Sequence, residues 1–178
     1  FPKASVGATE NILIASCLSK GITKLRNCAS EPEVKDLINF LKKLGCKIKQ
    51  IGKRSINVLG VEKFKPTIHK VIFDRIEAGT YIIAAALTGG RIKITNIDPK
   101  VISTEINLLS KMKVKIIRKK NYIIVTCPKK ISGVKIETQP YPGFPTDLQA
   151  QWMALMTKAQ GNSTIIEEIY NDRYTHIS

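Results

Sequence analysis

The chain contains 178 residues, and its 29 Lys and Arg residues exceed its 14 Asp and Glu residues, which gives a formal net charge of +15 at pH 7. Apolar residues make up 43% of the chain, a globular composition that excludes intrinsic disorder, and the length allows one ordinary core or two small ones but excludes a large multidomain protein. The longest apolar run, residues 82–87, is far shorter than the roughly 18 residues of a membrane span, so we expect no transmembrane segment.

The N-terminus and the cysteines indicate the cellular setting. Residues 1–3 lack an initiator Met and a secretion signal, so we expect the chain to begin inside a longer, non-secreted protein. Four widely spaced cysteines form no CxxC motif and lie in apolar segments, which predicts reduced core thiols in a cytoplasmic protein: Cys17, Cys28, Cys46 and Cys127. His69 and His176 have no partner at metal-ligand spacing, so we expect neither a metal site nor a cofactor.

The basic charge leaves two interpretations open. Lysines alternate with Ile and Val, as in residues 47–49 and 113–116, which is typical of the solvated face of a strand. Aromatic residues that could stack on bases are not interleaved with them. The pattern favours a basic surface suited to an anionic substrate, and a nucleic-acid-binding module is the alternative.

The sequence nearly repeats itself. Residues 12–18, Gly21 and residues 22–27 align with residues 81–87, Gly90 and residues 91–96, an offset of 69 residues. A third, incomplete copy begins at Thr146. The repeat predicts an α/β protein built from units of the order helix, strand, helix, strand, strand.

The first unit is predicted to begin with a helix over residues 8–19 that Gly21 ends, followed by a strand over 22–26. The motif Ser30-Glu31-Pro32-Glu33 is a capping box, and it predicts a second helix that Gly45 ends. Alternating residues 47–51 and 55–59 predict a hairpin. Residues 62–73 show no sustained periodicity and are the best candidate for a boundary.

The second unit is predicted to follow the same plan. Asp74 and Glu77 form a capping box before its first helix, and Asp98-Pro99 indicates the start of its second helix. Residues 114–117 and 122–126 predict a hairpin, and residues 134–138 an extra strand. The proline-rich residues 139–145 predict an extended segment that leads into the first helix of the third unit. Thr146 and Gln149 form the predicted capping box of that helix.

The starts of these helices are the candidate functional sites, because free N–H groups and the helix dipole favour anions there. Lys3, Ser5 and Gly7 could bind a phosphate, although Ser5 could equally be only a cap. Asp147, on a rigid proline-held approach, could act as a general base or could simply be stabilised by the dipole. Arg173 could bind a carboxylate or could form a surface salt bridge.

Five blocks at these positions resemble one family in order and spacing: residues 5–9, 31–33, 74–80, 144–151 and 171–176. The family is that of the UDP-N-acetylglucosamine enolpyruvyltransferases, or UDP-N-acetylglucosamine 1-carboxyvinyltransferases, which catalyse the first committed step of peptidoglycan synthesis. The resemblance implies an inside-out α/β barrel of two similar domains, each with three units. Residues 1–61 are then the last unit of the first domain, 62–73 a linker, and 74–178 the first part of the second domain.

The resemblance also implies roles for particular residues. Asp147 is expected to contact the sugar hydroxyl that is modified and to accept its proton as the catalytic residue. Substrate contacts are implied for eight further residues: Lys3, Ala4, Ser5, Val6 and Gly7 on the UDP side, and Thr146, Ile169 and Arg173 elsewhere. The expected partners are UDP-N-acetylglucosamine, phosphoenolpyruvate and the remainder of the same polypeptide, with no nucleic acid and no membrane.

The family's phosphoenolpyruvate-binding Lys-Asn pair and its loop with a proton-donating Cys are expected outside residues 1–178. We therefore expect this chain to be an internal fragment that is inactive alone. The shikimate-pathway enolpyruvyltransferase, which shares the fold and the chemistry, is the enzyme alternative; the blocks at residues 74–80 and 144–151 favour the sugar-nucleotide enzyme.

Overall fold

The computed structural model describes residues 1–177 and divides the chain into two compact units, Phe1–Ile72 and a second unit that begins at Phe73. The elements of the first unit are helix α1 (Val6–Ser16), strand β1 (Ile22–Arg26), helix α2 (Pro32–Lys43), and strands β2 (Lys47–Gly52) and β3 (Ser55–Leu59). β3 pairs antiparallel with both other strands, so the sheet order is β1-β3-β2. This order brings the predicted hairpin back beside β1.

The core of the first unit lies between its sheet and its two helices. Alternate residues of β3, Ile56 and Val58, are buried, as are Leu13 of α1 and Val34 and Leu41 of α2. The 3–4 residue spacing along α2 and the period of two along β3 are the patterns that each element needs to bury one face. Burial of these side chains is the main favourable term that holds the unit together.

Residues after β3 pack against the first unit. The N–H group of Lys65 donates to the carbonyl of Leu44 at 2.8 Å. His69 Nε2 lies 3.1 Å from Asp36 Oδ1, and its ring packs against Phe40 with centroids 5.3 Å apart. The interpretation of residues 62–73 as a linker between two domains of a longer protein stays a prediction.

The second unit repeats the first. Its elements are α3 (Arg75–Thr88), β4 (Arg91–Thr95), α4 (Ser103–Lys111), β5 (Lys115–Arg118) and β6 (Tyr122–Thr126). The strand order β4-β6-β5 is antiparallel and equivalent to β1-β3-β2. The element order and the hairpins that the sequence predicts are therefore confirmed, and the structure adds that the first strand of each unit pairs with the last.

The remainder of the second unit supplies a small parallel sheet and a fifth helix. Its elements are β7 (Lys135–Glu137), a 3-10 turn (Thr146–Leu148), α5 (Gln149–Met156) and β8 (Thr164–Ile166). Ile136 of β7 lies opposite Ile165 of β8 in parallel register. The buried Trp152 of α5 packs edge-on against Phe144, with ring centroids 5.0 Å apart. The described strands form three separate sheets, none of them closed into a barrel.

Most helix boundaries agree with prediction, and the exceptions have local causes. Asp74 caps α3 as predicted, since its carboxylate accepts hydrogen bonds from the N–H groups of Ile76 and Glu77. The predicted start of α4 at Asp98-Pro99 is wrong because Asp98 accepts from the N–H of Lys100 and forms a turn. α4 begins at Ser103 instead.

Two predicted capping boxes are absent. The cap of α2 is Glu31, which makes no capping bond to the helix; its carboxylate accepts from the N–H of Ser30 instead. Thr146 likewise makes no cap, because its hydroxyl is bonded elsewhere.

Two further predictions are corrected. Helix α1 ends at Ser16, so Gly21, at φ +80°, is not its cap and serves the turn before β1. Residues 139–145 are not simply extended, because Gly143 N–H bonds back to Pro140 O and closes a turn.

Gly79 lets α3 approach the segment that carries the 3-10 turn. A Cβ atom at this position would lie 2.4 Å from Cδ1 of Leu148, so the fully buried Leu148 side chain would have to shift. The absence of a side chain on Gly79 therefore fixes the distance between α3 and the residue that follows Asp147.

We predict that Gly79→Ala destabilises the second unit by about 1–3 kcal/mol, because the added methyl overpacks this contact. Gly90→Ala is the matched control, since a Cβ there meets only Thr88 Oγ1 at 3.4 Å and the carbonyl of Ala85 at 3.9 Å. Calorimetric unfolding of the full-length protein that contains this chain measures both changes. Equal stability of the two variants would contradict the close packing at Gly79.

Candidate functional site

The start of α1 is the candidate site of the first unit. Ser5 is its N-cap, with extended backbone angles, and its hydroxyl accepts a hydrogen bond from the N–H of Ala8 at 3.3 Å. The buried Thr9 donates from Oγ1 to the carbonyl of Ser5 and accepts from the N–H of Ala29, which ties the helix start to the segment before α2. The capping role that the sequence allows for Ser5 is therefore present.

The surroundings of that helix start are open. Lys3, Ser5 and Gly7 are exposed, and no atom lies within 4 Å of the position that a Cβ of Gly7 would occupy. The first N–H groups of a helix have no acceptor within the helix, and they carry a positive partial charge. This arrangement can take a phosphate group, with Lys3 as a nearby point charge.

Asp147 and Arg173 form the candidate site of the second unit. Asp147 lies in the 3-10 turn, and its Oδ1 is 2.8 Å from Nη1 of Arg173. The two side chains are 50% and 40% exposed, so both groups can be reached from solvent. The Arg173 guanidinium also lies over the ring of Tyr170, 5.3 Å from its centroid. A carboxylate and a guanidinium in this arrangement can accept a proton and bind an anion.

Thr146 joins this pair to a carboxylate deeper in the unit. Nη1 of Arg173 donates to Thr146 Oγ1 at 3.0 Å, and the Thr146 hydroxyl donates to Glu167 Oε2 at 2.9 Å. Glu167 is buried directly after β8. Its other oxygen, Oε1, accepts from Thr138 Oγ1 at 2.8 Å.

The loop after β8 is held by the same carboxylate. The N–H groups of Ile169 and Tyr170 donate to Glu167 Oε1 at 2.9 Å and 3.0 Å. Ile169, a predicted substrate contact, is half-buried in this loop. Of the predicted site residues, the structure thus brings together Thr146, Asp147 and Arg173, with Ile169 in the adjoining loop; Lys3 to Gly7 belong to the first unit.

Glu167 is ionised at neutral pH despite its burial. Burial by itself raises the pKa of its carboxyl group, but four hydrogen bonds that favour the charged form outweigh this effect and bring the pKa below the ordinary value of 4.5. The donors are the N–H of Tyr170, Thr138, the N–H of Ile169 and Thr146. Sequence reasoning missed Glu167, and the only local signal for it is an acidic residue directly after an apolar strand.

Three of the cysteines, Cys17, Cys28 and Cys127, are poor nucleophiles. Burial, reinforced by a hydrogen bond with Cys46, raises the pKa of Cys17 to about 12. Burial also raises the pKa of Cys28 and Cys127. Cys17, Cys28 and Cys46 are buried free thiols, and Cys127 donates from Sγ to the carbonyl of Ala86. A thiol reacts as its thiolate, so these groups are structural.

Other features of residues 1–177 lie apart from the predicted residues. A cavity of about 400 Å³ opens between the start of α3 and β4; Asp74 and Glu77 line it, but none of the predicted catalytic or substrate-binding residues does. No group of three or more His, Cys, Asp or Glu side chains within residues 1–177 could hold a metal ion. None of the helices in that range is long and apolar enough to cross a membrane.

Comparison with known proteins identifies the class. Residues 1–178 match the EPSP synthase (3-phosphoshikimate 1-carboxyvinyltransferase) family, and the chain belongs to that family. The enolpyruvyl transferase NikO from Streptomyces tendae has the same fold, with a TM-score of 0.85 and 25% sequence identity over 95% of this chain and 41% of that protein. The predicted enolpyruvyltransferase fold is confirmed.

Within the family, the similar curated proteins are named for a sugar nucleotide. The chain is 58% identical to UDP-N-acetylglucosamine 1-carboxyvinyltransferase of Pelagibacter ubique (strain HTCC1062) over all 178 residues. It is 47% identical to the protein of that name from Geotalea uraniireducens (strain Rf4). In each case it spans about 43% of the relative's length. The resemblance seen in the five sequence blocks is confirmed.

We predict that Glu167 stabilises the fold at neutral pH and loses this effect in acid. Its folded pKa lies below its unfolded value of 4.5. At a pH between these two values the unfolded chain binds more protons than the folded chain, so the free energy of unfolding decreases as the pH is lowered through this range. Unfolding free energies of the full-length protein and of Glu167→Gln, compared from pH 7 to pH 3, should differ most above pH 4.5 and converge below it. A difference that does not change with pH would contradict the ionised state.

Proposed function

We propose that the full-length protein containing this chain transfers the enolpyruvyl group of phosphoenolpyruvate to the 3-hydroxyl of UDP-N-acetylglucosamine. The observation that carries the proposal is the solvent-accessible pair of Asp147 and Arg173, in which Arg173 also donates to the Thr146 hydroxyl. The similar curated proteins are named for this reaction. This reaction takes place in the cytoplasm and makes a precursor of peptidoglycan. It therefore contributes to cell-wall synthesis, cell shape and cell division.

Asp147 is the proton acceptor in this proposal. The sugar oxygen forms a bond to C2 of phosphoenolpyruvate while C3 gains a proton, which gives a tetrahedral intermediate. Loss of inorganic phosphate from C2 and of a proton from C3 then leaves the enolpyruvyl ether. The oxygen is a better nucleophile as its proton leaves, and a carboxylate at hydrogen-bond distance provides this general-base catalysis.

Arg173 binds negative charge in the same reaction. Its guanidinium is always protonated, and its remaining N–H groups can face a carboxylate or phosphate group of a substrate. The aromatic ring of Tyr170 on one side and the Thr146 hydroxyl on the other limit where the guanidinium can lie. Ile169 adds an apolar substrate contact from the neighbouring loop.

The start of α1 binds the UDP part. In this placement the N–H groups of Val6 and Gly7 would face the diphosphate and Lys3 would add a charge, while Ser5 caps the helix by accepting from the N–H of Ala8. Ala4 and Gly7 offer little side-chain bulk at this place, which allows close approach of the ligand to the backbone.

The shikimate enzyme is the less favoured alternative. It shares the family, whose description names 3-phosphoshikimate, but the curated relatives at 44–58% identity are named for UDP-N-acetylglucosamine. A direct assay with both acceptors separates the two. Release of phosphate with UDP-N-acetylglucosamine and not with shikimate 3-phosphate supports the proposal, and the reverse result refutes it.

We predict that Asp147→Asn lowers kcat of the full-length protein by roughly 100- to 10,000-fold, because the amide cannot accept the hydroxyl proton. The fold should be retained, since Asn has the same shape and the side chain is half exposed. Asp172→Asn, an exposed neighbour, is the control and should keep wild-type kcat. Steady-state phosphate release measures both; near-normal turnover of Asp147→Asn would remove Asp147 from the mechanism.

We predict that Lys3→Ala raises the KM for the UDP-sugar by about tenfold and leaves kcat nearly unchanged, because a charge-assisted contact to phosphate is present in both the ground state and the transition state. Lys20→Ala removes another exposed lysine of the first unit and should change neither constant. If Lys3→Ala instead raised only the KM for phosphoenolpyruvate, the placement of the UDP group at α1 would be wrong.

A further inference from the structure

A buried carboxylate lies behind the Asp147–Arg173 pair. Glu167 is 9% exposed, and four donors surround it: the hydroxyls of Thr138 and Thr146 and the N–H groups of Ile169 and Tyr170. β7 and β8 run parallel, so their carboxyl ends meet at the same edge of the sheet, where Thr138 and Glu167 follow directly. The sheet thus holds the carboxylate in a fixed position.

The hydrogen-bond direction along this chain of groups is forced. A guanidinium can only donate, and an ionised carboxylate can only accept. The single hydroxyl hydrogen of Thr146 therefore points at Glu167 Oε2, and an oxygen lone pair of Thr146 faces Nη1 of Arg173. Glu167 Oε2 is therefore the acceptor that orients the Thr146 hydroxyl.

We propose that Glu167 is a positioning residue for the transfer reaction: through the Thr146 hydroxyl it fixes the Arg173 guanidinium beside Asp147. The proposal rests on the proposed function of the Asp147 site. Glu167 also sets the path of the loop after β8, which brings the Tyr170 ring against the same guanidinium. One buried carboxylate therefore fixes two of the contacts that locate Arg173.

The substitution Glu167→Gln tests whether a group that only accepts hydrogen bonds is needed at this position, because it replaces one carboxylate oxygen by a donor NH₂ group with almost no change of shape. If the amide NH₂ faces Thr146, it donates to Oγ1, and the Thr146 hydroxyl hydrogen loses its carboxylate acceptor. If the amide is reversed, its NH₂ faces Thr138 and the N–H groups of Ile169 and Tyr170, which are all donors to that oxygen. The first orientation removes the acceptor of the Thr146 hydroxyl, and the second sets an NH₂ group against the N–H groups of the loop that carries Tyr170, so each disturbs one of the two contacts that locate Arg173.

The experiment is steady-state kinetics on the full-length protein with UDP-N-acetylglucosamine and phosphoenolpyruvate. Glu167→Gln should lower kcat roughly 10- to 100-fold, the cost of a misplaced catalytic group, and leave the KM for the UDP-sugar nearly unchanged. Thr138→Val is the control, because it removes one donor to Oε1 and the acceptor of the Glu168 N–H but leaves the Thr146 relay in place. It should lower the unfolding temperature without lowering kcat.

A double-mutant cycle identifies the relay. Thr146→Val removes the hydroxyl, and its kcat should fall as that of Glu167→Gln does. Thr146→Ser keeps the hydroxyl, and its kcat should stay close to that of the wild type. Glu167→Gln combined with Thr146→Val should be no slower than the slower single variant, because both break the same connection. Thr146→Val and Thr146→Ser test the relay even if Glu167→Gln does not fold.

The outcomes separate this proposal from the proposed function. An inactive wild-type protein refutes the proposed function. With an active wild type, full activity of Glu167→Gln overturns the positioning role. The role is also overturned if Thr138→Val loses as much kcat as Glu167→Gln, if the two Thr146 variants are equally active, or if the losses in the cycle multiply.

Discussion

The arrangement of the candidate site in the second unit depends on the satisfaction of a buried negative charge, that of Glu167. A carboxylate removed from water costs several kcal/mol unless hydrogen bonds and charge replace its hydration. Glu167 receives four such bonds, two from hydroxyls and two from backbone N–H groups. Each donor comes from a different residue, so the ends of β7 and β8, the 3-10 turn and the loop after β8 must all converge for the charge to be tolerated.

This convergence explains why the 3-10 turn lies where it does. Gly79 allows α3 to contact Leu148, and Trp152 of α5 packs against Phe144 just before the turn. Apolar packing therefore fixes the turn from one side while Glu167 fixes Thr146 from the other. Asp147 lies in the chain between Thr146 and Leu148, which are both held by these contacts, and its own side chain is half exposed.

Much of the fold could be predicted from the sequence because it rests on local periodicity. The 69-residue repeat predicts two units with the same order of helices and strands, and the spacing of Asp74 to Glu77 predicts the cap of α3. The strand orders β1-β3-β2 and β4-β6-β5 come from the structure. The errors arose where a polar group had a competing partner. Asp98 bonds to Lys100 instead of starting a helix, and the Thr146 hydroxyl bonds to Glu167 instead of capping one.

The site was predictable only in part, for a related reason. Asp147 and Arg173 lie in recognisable blocks, but their pairing joins residues of different elements. Glu167 could not be identified at all, since its role comes from the parallel pairing of β7 with β8, which places Thr138 and Glu167 side by side across 29 positions of the chain. Periodicity within one strand carries no information about which strand lies beside it.

Solvent exposure decreases from the Asp147–Arg173 pair to Glu167 behind it. A reaction site needs both accessible groups that meet the substrate and buried groups that hold them in place. An ion pair as exposed as Asp147–Arg173 contributes only about 0–1 kcal/mol, so a substrate can displace either partner at small cost. Glu167 behind it is buried and fully bonded, and cannot move without losing several hydrogen bonds at once. Thr146 connects the exposed pair with the buried carboxylate, because its hydroxyl donates to Glu167 and accepts from Arg173. In the reaction that we propose, this hydroxyl would keep Arg173 in place when Asp147 turns to the substrate.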